Sequence, residues 1–79
     1  MDREFAIMTL NACFRASREL GETGTMVKAF SSDETGAEIK SQIGMAIAEI
    51  GNVMESVFRI HPDLRDWIDE RIEKYGRVS

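Results

Sequence analysis

A chain of 79 residues holds one domain at most, and it is too short to bury a large apolar core by itself. The single cysteine, Cys13, excludes an internal disulfide, and no cluster of cysteine and histidine residues predicts a zinc site. The net charge of −4 argues against a nucleic-acid partner, which would require a basic surface. No apolar run is long enough to cross a bilayer and the N-terminus is unlike a signal peptide, so we expect a cytoplasmic protein without a membrane partner.

The first predicted helix runs from about residue 2 to about residue 30. Its inward side is marked by small and apolar residues at helical spacing, namely Ala6, Leu10, Cys13, Ala16 and Leu20. The glycines at positions 21 and 24 leave a break as an alternative. We favour an unbroken helix because the same spacing continues beyond Gly21, at Thr23, Val27 and Phe30.

A polar loop precedes the second predicted helix, residues 36–60. Ser32 or Thr35 is expected to cap this helix, and Thr35 has the capping-box spacing to Glu38. With Ile43 at heptad position a, positions a, d and e are apolar except for Lys40, and the apolar residues are Ile39, Ile43, Ala46, Ile47, Ile50, Val53, Met54, Val57 and Ile60. We expect this face to hold the first helix.

The second helix also has a face of small residues at positions b and f, namely Ala37, Ser41, Gly44, Ala48 and Gly51. A solvent-facing side of a helix normally carries charge, whereas small residues let another backbone approach closely. We expect this face to contact a second subunit, and the alternative is an exposed face that happens to be rich in alanine and glycine.

A third helix is predicted over residues 62–75. Pro62 ends the preceding helix and suits the first position of a new one, while Gly76 closes it. The predicted fold is therefore all-α, with one domain over residues 1–79. An antiparallel helical hairpin and a C-terminal helix would assemble into a helical-bundle homo-oligomer, homodimeric or larger.

Carboxylates on the first two helices suggest a site for a divalent cation. Glu19 and Glu22 are three residues apart and share one side of the first helix. Positions c and g of the second helix carry oxygen ligands, at Glu38, Gln42, Glu49, Asn52 and Ser56. If the two sets faced each other they would form an acidic cleft of the kind that Mg²⁺ prefers. The alternative is that both are polar helix surfaces in water.

These segments resemble the MazG-like all-α nucleoside triphosphate pyrophosphohydrolases. Residues 18–22 (RELGE) with residues 26–30 (MVKAF) are similar to the family's first motif, ExxE followed by an apolar stretch. Residues 49–54 (EIGNVM) are similar to the second motif, ExxD, with Asn52 in place of the aspartate. A second alignment would put Gln42 and Met45 at the two acidic positions.

The resemblance implies Mg²⁺-dependent hydrolysis of a nucleoside triphosphate to a monophosphate and pyrophosphate. Glu19, Glu22 and Glu49 would be the metal ligands and catalytic carboxylates, and Asn52 would be a neutral ligand. Lys74 and Arg77 are candidate substrate-binding residues. In the alternative alignment the metal site would be lost, and a non-enzymatic homo-oligomer that binds a protein partner is the competing interpretation. We expect His61 to be a helix-junction residue and Trp67 to belong to the core.

Overall fold

The computed structural model describes residues 1–31 and 33–75, with side chains described as far as Glu70. Within these residues the chain forms three α-helices and no strand: α1 (Arg3–Phe30), α2 (Glu34–Ile60) and α3 (Asp63–Tyr75). The predicted all-helical class is confirmed. None of the described helices combines the length and apolar character needed to cross a membrane.

Helix α1 is continuous through its two glycines, so the alternative of a break there is wrong. The Asp2 side chain caps its N-terminus by accepting a hydrogen bond of 3.1 Å from the backbone N–H of Phe5. Beyond the first glycine, the inward position is Gly24, which is buried, whereas Thr23 is exposed. Phe30 is 83% exposed, so the expected inward spacing through Thr23 and Phe30 is wrong.

Helices α1 and α2 pack side by side as an antiparallel hairpin, and the contacts between them repeat every seven residues, which we call the seven-residue register. A Cβ atom on Gly24 would lie 3.5 Å from Cγ2 of Ile43, and a Cβ atom on Gly36 would overlap the carbonyl oxygen of Ser31. Seven residues is close to two helical turns, so each such step returns to the same face. The inward residues in this register are Leu10, Ser17 and Gly24 on α1 and its C-cap Ser31, opposite Val57, Ile50, Ile43 and Gly36 on α2.

The loop between the helices is closed by Asp33, which caps α2 in place of the predicted Thr35. Its Oδ1 accepts hydrogen bonds from the backbone N–H of Gly36, at 3.1 Å, and from Oγ of Ser31, at 3.0 Å. These two bonds, the backbone one first, lower the pKa of the Asp33 carboxyl. The other expected cap, Ser32, lies outside the described residues.

Helix α3 folds back across one side of the hairpin near its open end, where Nε2 of His61 lies 2.8 Å from the carbonyl oxygen of Met1. Its Arg65 guanidinium stacks 4.5 Å from the ring centre of Phe58 and forms an ion pair of 2.9 Å with Glu55. Arg3 pairs with Asp63 at 2.9 Å. The buried apolar residues of the described chain form a single cluster at this end: Ala6, Leu10, Val57, Phe58, Leu64 and Ile68.

Candidate functional site

The first carboxylate pair lies on the outer surface of α1. Glu22 is two residues from the inward Gly24, which places it about 200° away around the helix axis and therefore on the side facing away from α2. Glu19 stands in the same relation to Ser17, and both glutamates are exposed. The backbone carbonyls of Glu19 and Glu22 accept hydrogen bonds from the hydroxyls of Thr23 and Thr25, respectively.

The residues of the second motif lie together on α2. Asn52 donates a hydrogen bond from Nδ2 to Oε2 of Glu49, at 3.2 Å, and both residues are exposed. The two key residues of the alternative alignment, Gln42 and Met45, are also exposed on α2, and Met45 is 70% accessible. The geometry of one chain therefore does not distinguish the two alignments.

The two motifs do not form one ligand set within a single chain. Among the described residues, no group of three or more histidine, cysteine, aspartate or glutamate side chains is arranged to hold a metal ion. The physical reason is the orientation of both helices: Glu19 and Glu22 face away from α2, and Glu49 is exposed on α2, about 100° around that helix from the inward Ile50. Within one chain, the described carboxylates are therefore not arranged to hold Mg²⁺.

The remaining predicted residues have more varied positions. Lys74 and Arg77 fall outside the described side chains. His61 ends α2 and bridges to the N-terminal carbonyl, as expected of a helix-junction residue. Trp67 packs against the apolar cluster, as expected of a core residue. Cys13 is a free, partly buried thiol, and burial raises its pKa, which makes it a weaker nucleophile at neutral pH.

The predicted small-residue face lies on the same side of α2 as α3. Gly44 and Gly51 precede Phe58 by multiples of seven residues, and Phe58 is the residue beneath Arg65. A Cβ atom on either glycine would have no neighbour within 4 Å. Ala37, Ser41 and Ala48 are exposed as well, so this face is not covered by the chain's own helices.

The opposite side of α2 carries an exposed stripe that the heptad assignment placed wholly inside. The stripe occupies every d position and consists of Ile39, Ala46, Val53 and Ile60, which we call the apolar flank. Ile39 is 41% exposed, Val53 40% and Ile60 52%. Helix α1 covers positions a and e of α2, where Ile43 and Ile47 are partly buried. It leaves the d positions on the other side of position a exposed. The expectation that one hairpin would bury all three positions is wrong.

A shallow pocket lies at the closed end of the hairpin, where the loop joins α1 to α2. None of the predicted metal ligands contributes to it, so it is separate from the carboxylates discussed above. Its lining residues are Val27, Lys28, Ser31, Asp33, Gly36, Ala37 and Lys40.

Comparisons with protein-family models, with curated proteins and with solved structures give no match for this chain. The MazG-like resemblance therefore stays a prediction that depends on the quoted motifs.

Proposed function

We propose that this chain is a small helical interaction module that acts by binding another polypeptide through its apolar flank. The observation that carries the proposal is the exposure of Ile39, Val53 and Ile60, which form one continuous stripe on α2. Large apolar side chains arranged in one stripe are typical of surfaces that another protein covers.

The charge and chemistry of the chain are consistent with such a role. A net charge of −4 does not favour nucleic acid, and the partly buried thiol of Cys13 suits a reducing cytoplasm. The apolar flank itself has no charged residue. Glu49 is the one charged residue at the g positions along its outer edge, which are Gln42, Glu49 and Ser56. A partner surface would accordingly be apolar at its centre.

Site-specific photo-crosslinking tests this proposal in cells that produce the protein. A benzophenone side chain at Val53 should form a discrete crosslinked species, because the probe would lie within the covered surface. The matched control is the same probe at Glu38, an exposed position on the polar side of α2. If Val53 gave no discrete product, or both positions gave the same smear, the interaction proposal would be abandoned.

The second candidate is a MazG-like nucleoside triphosphate pyrophosphohydrolase. Its support is the similarity of residues 18–22 and 49–54 to the family's two motifs, and the hydrogen bond between Asn52 and Glu49 shows that the two residues of the second motif lie side by side on α2. The test is pyrophosphate release from a panel of nucleoside and deoxynucleoside triphosphates with Mg²⁺ or Mn²⁺. Turnover that disappears in Glu22→Gln would establish the enzyme, and absence of turnover would remove this candidate.

A further inference from the structure

The apolar flank is continuous with the partly buried edge of α1. Cys13, Leu20 and Val27 each follow an inward residue of α1 by three positions, which places them about 60° around the helix from it. They lie on the same side of the hairpin as the apolar flank of α2. All three are partly exposed and apolar, and they too are seven residues apart. One side of the hairpin therefore presents parallel apolar stripes from both helices.

Helix α3 cannot cover this surface because it packs on the other side. Its anchor points on α2 are Phe58 and Glu55, and Phe58 lies about 160° around the helix from the position of the apolar flank. The connection from Ile60 through Pro62 is short and already directs α3 to that side. Among the described residues, nothing else is available to cover the apolar flank.

The chain exposes more surface than a compact monomer of its mass. The chain has an accessible surface of 5662 Å². A compact monomer of 8.9 kDa exposes about 4,800 Å², so the surplus is roughly 850 Å². Each partner in a standard-size stable interface buries about 800 Å². The elongated shape agrees, since the radius of gyration is 14.9 Å, compared with about 12 Å for a compact domain of this length.

We propose that a second copy of this chain covers the apolar flank. The two hairpins would pack face to face as a symmetric four-helix bundle of two layers, with an α3 helix on each outer side. This inference depends on the proposed function and names its partner. A copy of the same chain supplies a matching apolar surface, and the seven-residue spacing of both stripes is the repeat by which paired helices interlock. An antiparallel pairing would set Ile39 against Ile60 of the second copy and would set the small Ala46 against the larger Val53.

Sedimentation equilibrium on the full chain tests the dimer. At tens of micromolar, the wild type should have twice the 8.9 kDa chain mass. Val53→Glu should weaken association by about a hundredfold, because a carboxylate would be buried without a partner. The matched control is Ser41→Glu, which puts the same charge on the small-residue face and should leave the dimer intact. Val53 is 40% exposed in one chain, so the carboxylate introduced by Val53→Glu can reach water in the monomer. Circular dichroism verifies that both variants stay helical.

The possible results separate this inference from the proposed function. A wild type that is monomeric at every concentration overturns the dimer, and a crosslink from Val53 to a different polypeptide would then leave the interaction module standing. A dimer that is lost in Ser41→Glu and kept in Val53→Glu also overturns the inference, in favour of the small-residue face. A monomer that also gives no crosslink rejects both proposals.

Discussion

Gly24 of α1 lies directly against Ile43 of α2, and a Cβ atom added to the glycine would be 3.5 Å from Cγ2 of the isoleucine. This distance is an ordinary van der Waals contact, so there is room for one methyl group. Gly24→Ala should therefore raise the free energy of unfolding by about 0.5–1 kcal/mol, because alanine favours the helix over the unfolded chain. Gly24→Leu should instead lower it by about 1–3 kcal/mol through overpacking. Thermal denaturation followed by circular dichroism measures both changes, and equal effects of the two variants would contradict this packing.

Gly36, unlike Gly24, has no room for even one methyl group. A Cβ atom there would overlap the carbonyl oxygen of Ser31 and lie 2.7 Å from its carbonyl carbon, and this backbone cannot move aside as a flexible side chain would. Gly36→Ala should lower the free energy of unfolding by about 2 kcal/mol despite the better helix propensity of alanine.

The control for that variant is Gly21→Ala, which has no atom within 4 Å of the new methyl group. It should be stabilising by about 1 kcal/mol. Urea denaturation of the two variants compares them directly. A stabilised Gly36→Ala protein would mean that the turn is more open than this structure describes.

The cap of α2 should make stability depend on pH in the acid range. Hydrogen bonds from Gly36 and Ser31 lower the pKa of Asp33 below its unfolded value, which is near 3.8. The stabilisation is therefore complete above that unfolded pKa and is lost as pH falls through the lower, folded pKa. Asp33→Ala should lower the melting temperature at neutral pH, and the difference from wild type should shrink in acid.

Asp33→Asn separates capping from titration. Asparagine keeps an acceptor for the N–H of Gly36 but does not titrate, so most of the cap should survive with a flatter pH profile. Melting temperatures of wild type and both variants between neutral pH and pH 2 supply the comparison. Parallel profiles for wild type and Asp33→Asn would show that another group controls the acid transition.

The docking of α3 should depend on its apolar residues far more than on its ion pair. Leu64 is fully buried in the cluster, and Leu64→Ala should cost about 2–5 kcal/mol. Arg65→Ala should cost less than about 1 kcal/mol, because the side chains of Arg65 and Glu55 are 51% and 62% exposed and water screens them. Chemical denaturation ranks the two, and a larger cost for Arg65→Ala would assign the docking to electrostatics.

Periodicity was sufficient to predict the three helices and the interior role of Trp67, because helical spacing and Pro62 are local signals. The predicted cap Thr35 was wrong because its capping-box spacing to Glu38 was given more weight than the stronger intrinsic cap preference of Asp33, whose side chain accepts from the N–H of Gly36. The burial of the d positions was wrong for a geometric reason. An apolar face that spans a, d and e is wider than one neighbouring helix can cover, and this width is the feature on which the proposed partner depends.

The seven-residue register has a consequence for how the hairpin finds its alignment. If α2 were displaced by one heptad, about 10.5 Å along α1, Ile50 would face Gly24 and Ile43 would face Ser31. Small residues would still oppose branched ones in the middle of the hairpin, but Val57 would move from Leu10 to Ser17 and the apolar cluster at the open end would be broken. The short connection from Ser31 to Asp33 also opposes the displacement, because it would have to bridge a longer gap. The loop at one end and the apolar cluster at the other therefore hold the hairpin in one alignment.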